Sequence, residues 1–116
     1  MSKNQETWDD RYPLMNAPYL HYGVITVTAA FAAGVDAPAS VILVNALATV
    51  TLPLAADNKG KAYWIKNISA AFAVTINPTG VDTIDGAPTQ SLPDQYDVMH
   101  VVSDGVAWYI LSSSDL

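Results

Sequence analysis

Two histidines, His21 and His100, are the only imidazoles in the chain, and any acid–base chemistry near neutral pH would have to start from them. His100 lies in an apolar stretch, on the side of the strand shared by Val98 and Val102. Ser103 and Asp104 follow it, but the strand period does not bring them to the face of His100 in the order that a nucleophile, a base and an orienting carboxylate need. His100 therefore reads as a packing or subunit-interface residue. Asp82 and Asp85, and then Asp94 and Asp97, are paired carboxylates of the kind that could cleave a glycoside. Each pair has Gly or Pro close by, where Asp is common because it caps turns. Asp82 and Asp85 stay the best candidates for a glycan-active enzyme, and the expectation is that the protein is not an enzyme.

Other chemistries have even less to stand on. The chain has no cysteine, which rules out disulfides and thiolate metal sites. No loop carries the alternating oxygen ligands of a calcium site. Gly80, Gly86 and Gly105 stand alone in turns, and none opens a helix after a strand to cradle phosphate. Asn67-Ile68-Ser69 matches the glycosylation triplet but falls inside a predicted strand. No cofactor and no metal are expected.

Charge narrows the partners. Five basic residues face eleven acidic ones, for a net charge of −6. Lys59, Lys61 and Lys66 are too few for a phosphate-tracking stripe, so nucleic acid is not an expected partner. No apolar run reaches the roughly 18 residues that span a bilayer, and the start of the chain has no apolar signal region. No membrane partner is expected. Only 14% of the 116 residues are charged and 51% are apolar. Either much nominal surface is buried between subunits, or Ser, Thr, Asn and Ala cover it. Subunit burial is the favoured reading.

The elements that would position these residues are strands. Residues 24–28 alternate and are rich in β-branched types. Residues 40–45 are apolar enough for a strand buried on both faces. Further strands are predicted at 49–53, 61–69, 73–77, 82–86, 89–92, 96–103 and 106–111. Residue 92 closes a short edge strand, and Asp57-Asn58-Lys59-Gly60 makes a turn or a single helical turn. Asp85-Gly86 and Asp104-Gly105 are hairpin turns, with positive φ expected at Gly105. Trp108 and Tyr109 must point to opposite faces, one to the core and the other to a subunit contact. The fold class is all-β, a small sandwich or jelly-roll-like module of about nine short strands over residues 23–116. No repeat of solenoid length is visible.

Residues 1–22 differ. They have no strand or helix period, and Pro13 and Pro18 favour extended backbone. Trp8, Tyr12, Tyr19 and Tyr22, with Leu14 and Met15, supply more large apolar groups than a disordered tail carries. The segment is either a linker or a docking arm, and the arm is favoured. Fully extended it would reach on the order of 70 Å. Trp8, Tyr12, Pro13, Leu14, Met15, Pro18, Tyr19 and Tyr22 are the candidate partner-binding residues.

The β module also resembles one found in virion proteins of tailed phages. The resemblance runs through Val50-Thr51-Leu52-Pro53 and Asn58-Lys59-Gly60-Lys61-Ala62-Tyr63-Trp64-Ile65-Lys66-Asn67. It continues in Val74-Thr75-Ile76-Asn77-Pro78 and Asp82-Thr83-Ile84-Asp85-Gly86. It closes on Gln95-Tyr96 and on Val101-Val102-Ser103-Asp104-Gly105-Val106-Ala107-Trp108-Tyr109-Ile110. Such modules occur in tail fibres, head fibres and capsid decoration proteins, commonly as trimers. The resemblance implies a homotrimer on the virion surface, made in the host cytoplasm, whose partner is the major capsid protein or another virion protein. With no shaft repeat in the chain, a capsid decoration (cement) protein is the first expectation, and a short head-fibre, tail-fibre or receptor-binding component is the second.

Overall fold

The computed structural model describes residues 23–114. Nine strands occur among the described residues. They are β1 (Val24–Val27), β2 (Phe31–Ala32), β3 (Val41–Val44), β4 (Ala48–Thr51), β5 (Ala62–Asn67), β6 (Val74–Asn77), β7 (Gln90–Leu92), β8 (Val98–Ser103) and β9 (Trp108–Ser113). They form two mixed sheets, ordered β9-β8-β5-β3-β1 and β2-β4-β6-β7. The all-β class expected from the sequence is present.

The chain makes this architecture by crossing between the sheets six times, and three of these crossings form matching arches. β1 leads to β2, β3 to β4 and β5 to β6, with the first strand of each pair in the five-stranded sheet and the second in the four-stranded one. These three arches stack in register, so β1, β3 and β5 pair in parallel, as do β2, β4 and β6. Backbone bonds carry the stacking into the bends: the Asn45 N–H donates to the Val27 carbonyl and the Ile68 N–H to the Val44 carbonyl, both at 2.9 Å. Antiparallel strands finish each sheet, with β8 and β9 beside β5 and β7 beside β6. The pairing thus departs from the wholly antiparallel order of a jelly roll.

The inner faces of the two sheets share one core. Ile42, Val44, Ile65 and Val101 come from the five-stranded sheet, and Val50, Val74, Ile76 and Leu92 from the other. Trp108 is completely buried, its ring tilted against Tyr63 at 5.8 Å, and its indole N–H donates to the Pro53 carbonyl at 3.0 Å. Tyr109, its neighbour in sequence, is exposed on the other face, as the strand period requires. Gly34 turns with φ 77°, and a Cβ there would lie 2.8 Å from the Tyr63 hydroxyl, so the turn has room only for glycine.

Three expectations need correction. Residues 82–86 are not a strand. Ile84 forms bridges with Ala87 and Trp108, and Asp85-Gly86, with φ 51° and 79°, is the two-residue turn between Ile84 and Ala87. One apolar side chain anchors a turn there, too short a run to make a ladder. Residues 29–38, where no strand is predicted, contain β2, recruited because Phe31 fills the core opposite Val50. β3 is buried on one face only; Val41 and Leu43 are half-buried on the other.

Candidate functional site

Local geometry settles what the carboxylates do. The Asp82 carboxylate accepts from the Ala55 N–H at 2.9 Å and the Asp85 carboxylate from the Ile110 N–H at 2.9 Å. Asp97 accepts from the Asp94 N–H at 2.9 Å and from the Ser114 hydroxyl at 3.2 Å. Asp104 accepts from the Val106 and Ala107 N–H groups at 2.8 and 2.9 Å, closing the loop between β8 and β9. The bonds from Ala107 and Val106 hold its carboxyl below the usual aspartate range. Asp97 and Asp104 organise their own turns, whereas Asp82 and Asp85 tie theirs to distant segments of the chain. Ser103 is buried on the inner face, donating to the Ala55 carbonyl at 2.8 Å, while His100 lies on the outer face. Strand alternation keeps the two apart. Asn67 is fully buried, its amide donating to the Phe72 and Leu92 carbonyls at 2.8 and 3.0 Å and accepting from the Ser69 N–H. Its role is to tie a bend to both sheets. Among the described residues no group of three His, Asp or Glu side chains could hold a metal ion, and no helix is long and apolar enough to cross a membrane.

What the strands do assemble is a surface. Register places Val24, Val41, Trp64 and His100 in one outward row of the five-stranded sheet. Thr26, Leu43, Lys66 and Val98 make the next row. Ala62, Val102 and Tyr109 make a third. A sheet face turned to water normally alternates to polar residues, and this one does not. An open groove of about 320 Å³ runs across it, lined by Val41, Leu43, Trp64, Lys66 and Val98.

The groove has a rigid floor and a polar rim. The Trp64 and His100 rings stack with centroids 3.7 Å apart and planes 8° from parallel. Burial pushes the His100 imidazole below its usual pKa, which favours the neutral ring against the indole. Lys66 is the one formal charge in these rows, and its ammonium lies 5.6 Å from the centre of the Tyr96 ring. Tyr96 itself takes φ 70°, an uncommon conformation for a residue with a Cβ. Flat aromatic surface, aliphatic walls and a rim cation are the ingredients of a hydrophobic contact site.

The outer face of the four-stranded sheet is a control built by the same chain. Its outward rows hold Ala32, Thr51 and Asn77, then Thr49, Thr75 and Ser91. That is a solvent face. The polar cover that the sequence allowed for is found on this sheet, and the outer face of the five-stranded sheet is apolar instead.

The residues expected to bind a partner, Trp8, Tyr12, Pro13, Leu14, Met15, Pro18, Tyr19 and Tyr22, lie outside the described residues. The surface residues Val41, Leu43, Trp64, Val98 and Val102 did not stand out as a site. Their signal was the unbroken apolar run in β3, which indicates a strand with two apolar faces. His100 and Tyr109, expected at subunit contacts, do lie on this face. No family model matches the chain, and no curated protein is significantly similar to it in sequence.

Proposed function

We propose that this protein is a structural component of a tailed-phage virion: a capsid decoration protein that docks on the head as a trimer through residues 1–22 and stabilises the shell. The apolar outer face of the five-stranded sheet supports this reading, because contiguous apolar surface on a small module marks a site of polypeptide contact, with a neighbouring chain or with the module's own leading segment. Asp82, Asp85 and Asp97 accept backbone hydrogen bonds, which supports a role in contact over one in catalysis. Its net charge of −6 directs that contact toward protein and away from nucleic acid. The aromatic segment before Gly23 supplies anchors of the type that dominate interface energies.

One observation favours a second reading, a short head-fibre or tail-fibre component. Parallel arches stacked in register, as β1, β3 and β5 are, can propagate along an axis. Co-sedimentation separates the two. A decoration protein pellets with bare heads, raises their resistance to heat and stays in solution with isolated tails; a tail-fibre component does the reverse, and a head-fibre component pellets with heads without stabilising them. Pelleting with neither ends the virion reading. Light scattering coupled to size exclusion tests the trimer, and a clean monomer at micromolar concentration would remove it.

A further inference from the structure

We propose that the apolar face of the five-stranded sheet is covered by the chain's own residues 14–22, the segment that leads into Gly23.

The point of entry is the first reason. The Gly23 carbonyl is fixed by the Ser40 and Val41 N–H groups at 3.0 and 2.9 Å. The next residue, Val24, points outward, 59% exposed, in the row of Val41, Trp64 and His100. β1 is the edge of the sheet among the described residues. The preceding chain therefore joins the fold at the rim of the groove.

Length is the second. Crossing from β1 to β9 takes four interstrand steps, about 19 Å. About six extended residues span that distance. Residues 14–22 exceed it, which narrows the stretch left to dock on an outside partner from residues 1–22 to residues 1–13, including Trp8 and Tyr12. The inference thus goes beyond virion docking and does not rest on it.

Composition is the third. Leu14, Met15, Tyr19, Leu20 and Tyr22 are all large and apolar or aromatic, and no Asp, Glu, Lys or Arg falls between Leu14 and Tyr22. Charge begins before them, at Asp9, Asp10 and Arg11. An uncharged aromatic segment meets an aliphatic face whose one formal charge, Lys66, sits at the rim where a tyrosine ring can receive it. The tether raises the local concentration of this segment to the millimolar range, an advantage that no free partner has.

The test uses the full chain carrying Met15→Ser, Tyr19→Ser and Tyr22→Ser together. The readout is the indole N–H resonances in a nitrogen–proton correlation spectrum. Trp64 lies under the groove and Trp108 lies in the core on the opposite side of the sheet. The expected result is a shift of the Trp64 signal with Trp108 unmoved, identical after an approximately tenfold dilution. An unmoved Trp64 overturns the proposal. So does a Trp108 shift as large as that of Trp64, since docking outside the sheet leaves the core alone. A Trp64 shift that fades on dilution assigns the cover to a neighbouring copy and overturns the assignment to the same chain.

Discussion

The two outer faces of this sandwich are made by strands that alternate in sequence, β1, β3 and β5 in one sheet and β2, β4 and β6 in the other. Each arch contributes to both, and the inner positions are mainly apolar in both, with Asn67 and Ser103 as buried polar exceptions. Yet Thr49, Thr51, Thr75 and Asn77 look outward from the four-stranded sheet, and Val41, Leu43, Trp64 and Val98 from the five-stranded one. Folding of the single module needs only the inner positions, so it cannot account for the second set. A half-buried Val or Leu left facing water forgoes part of the roughly 1.5–3 kcal/mol that full burial of such a side chain provides. The difference between the sheets teaches that one is finished as a surface and the other is an unfinished core.

The largest expected effect belongs to the inner face that both sheets share. Trp108→Ala should lower unfolding stability by about 3–5 kcal/mol in urea titration, since it empties the largest buried site and frees the Pro53 carbonyl. A loss below about 1 kcal/mol would mean the core is not organised around this ring. Asn67→Ala comes next, at about 1–3 kcal/mol, because it strands the Phe72 and Leu92 carbonyls and the Ser69 N–H in a buried bend.

Smaller effects follow at the turns and on the outer faces. Gly105 takes φ 93° with the Lys59 side chain packed on it, so Gly105→Val should cost on the order of 1 kcal/mol or more. An unchanged melting temperature would count against the positive φ. The outer faces should then separate. Thr75→Val on the polar face should stay within about 0.5 kcal/mol of wild type. Leu43→Ser on the apolar face should cost more, and combining it with Tyr19→Ser should show a coupling of at least about 0.5 kcal/mol. Strict additivity would break the link between the face and the preceding segment.

The smallest effect is a pH dependence. Burial holds the folded-state pKa of His100 below its ordinary 6.5. The unfolded chain therefore takes up the proton first as pH falls. The contribution of neutral His100 is complete above about 6.5 and is lost as pH drops through that value toward the folded one. Stability should fall between pH 7.5 and 5.5, and His100→Phe should flatten that slope. Asp104 acts elsewhere. Its lowered pKa stabilises the fold above its ordinary 3.8 and loses that contribution only at lower pH.

Strand content was legible because Val, Ile and Thr alternate and Gly and Asp punctuate them. Eight of the predicted segments correspond to observed strands within a few residues, and the alternation also put Trp108 and Tyr109 on opposite faces, leaving it to the structure to show that Trp108 is the inner one. Partner choice was not legible. Val24, Val41 and Trp64 share a row, but their spacings along the chain are unequal because the bends between arches differ in length. A parallel stack with irregular bends leaves no repeat in the sequence. The apolar surface was half legible: Val41-Ile42-Leu43-Val44 announces two apolar faces, but only the pairing of β3 with β1 and β5 shows that one of them is on the outside. Ile84 misled for the opposite reason, since one buried side chain between two turn-forming aspartates imitates a strand.

The central claim is that the outward face of the five-stranded sheet is a covered surface. The absence of cysteine makes a direct measurement available, because an introduced thiol reports alone. Leu43→Cys puts that thiol in the groove, and Val106→Cys puts it on an exposed loop. Labelling rates of the two full-length variants with a bulky maleimide are compared. The expected result is that Cys at 43 reacts at least about tenfold more slowly than Cys at 106, the factor that about 1.4 kcal/mol of cover would impose. Equal rates would show a bare face open to solvent and would contradict the claim.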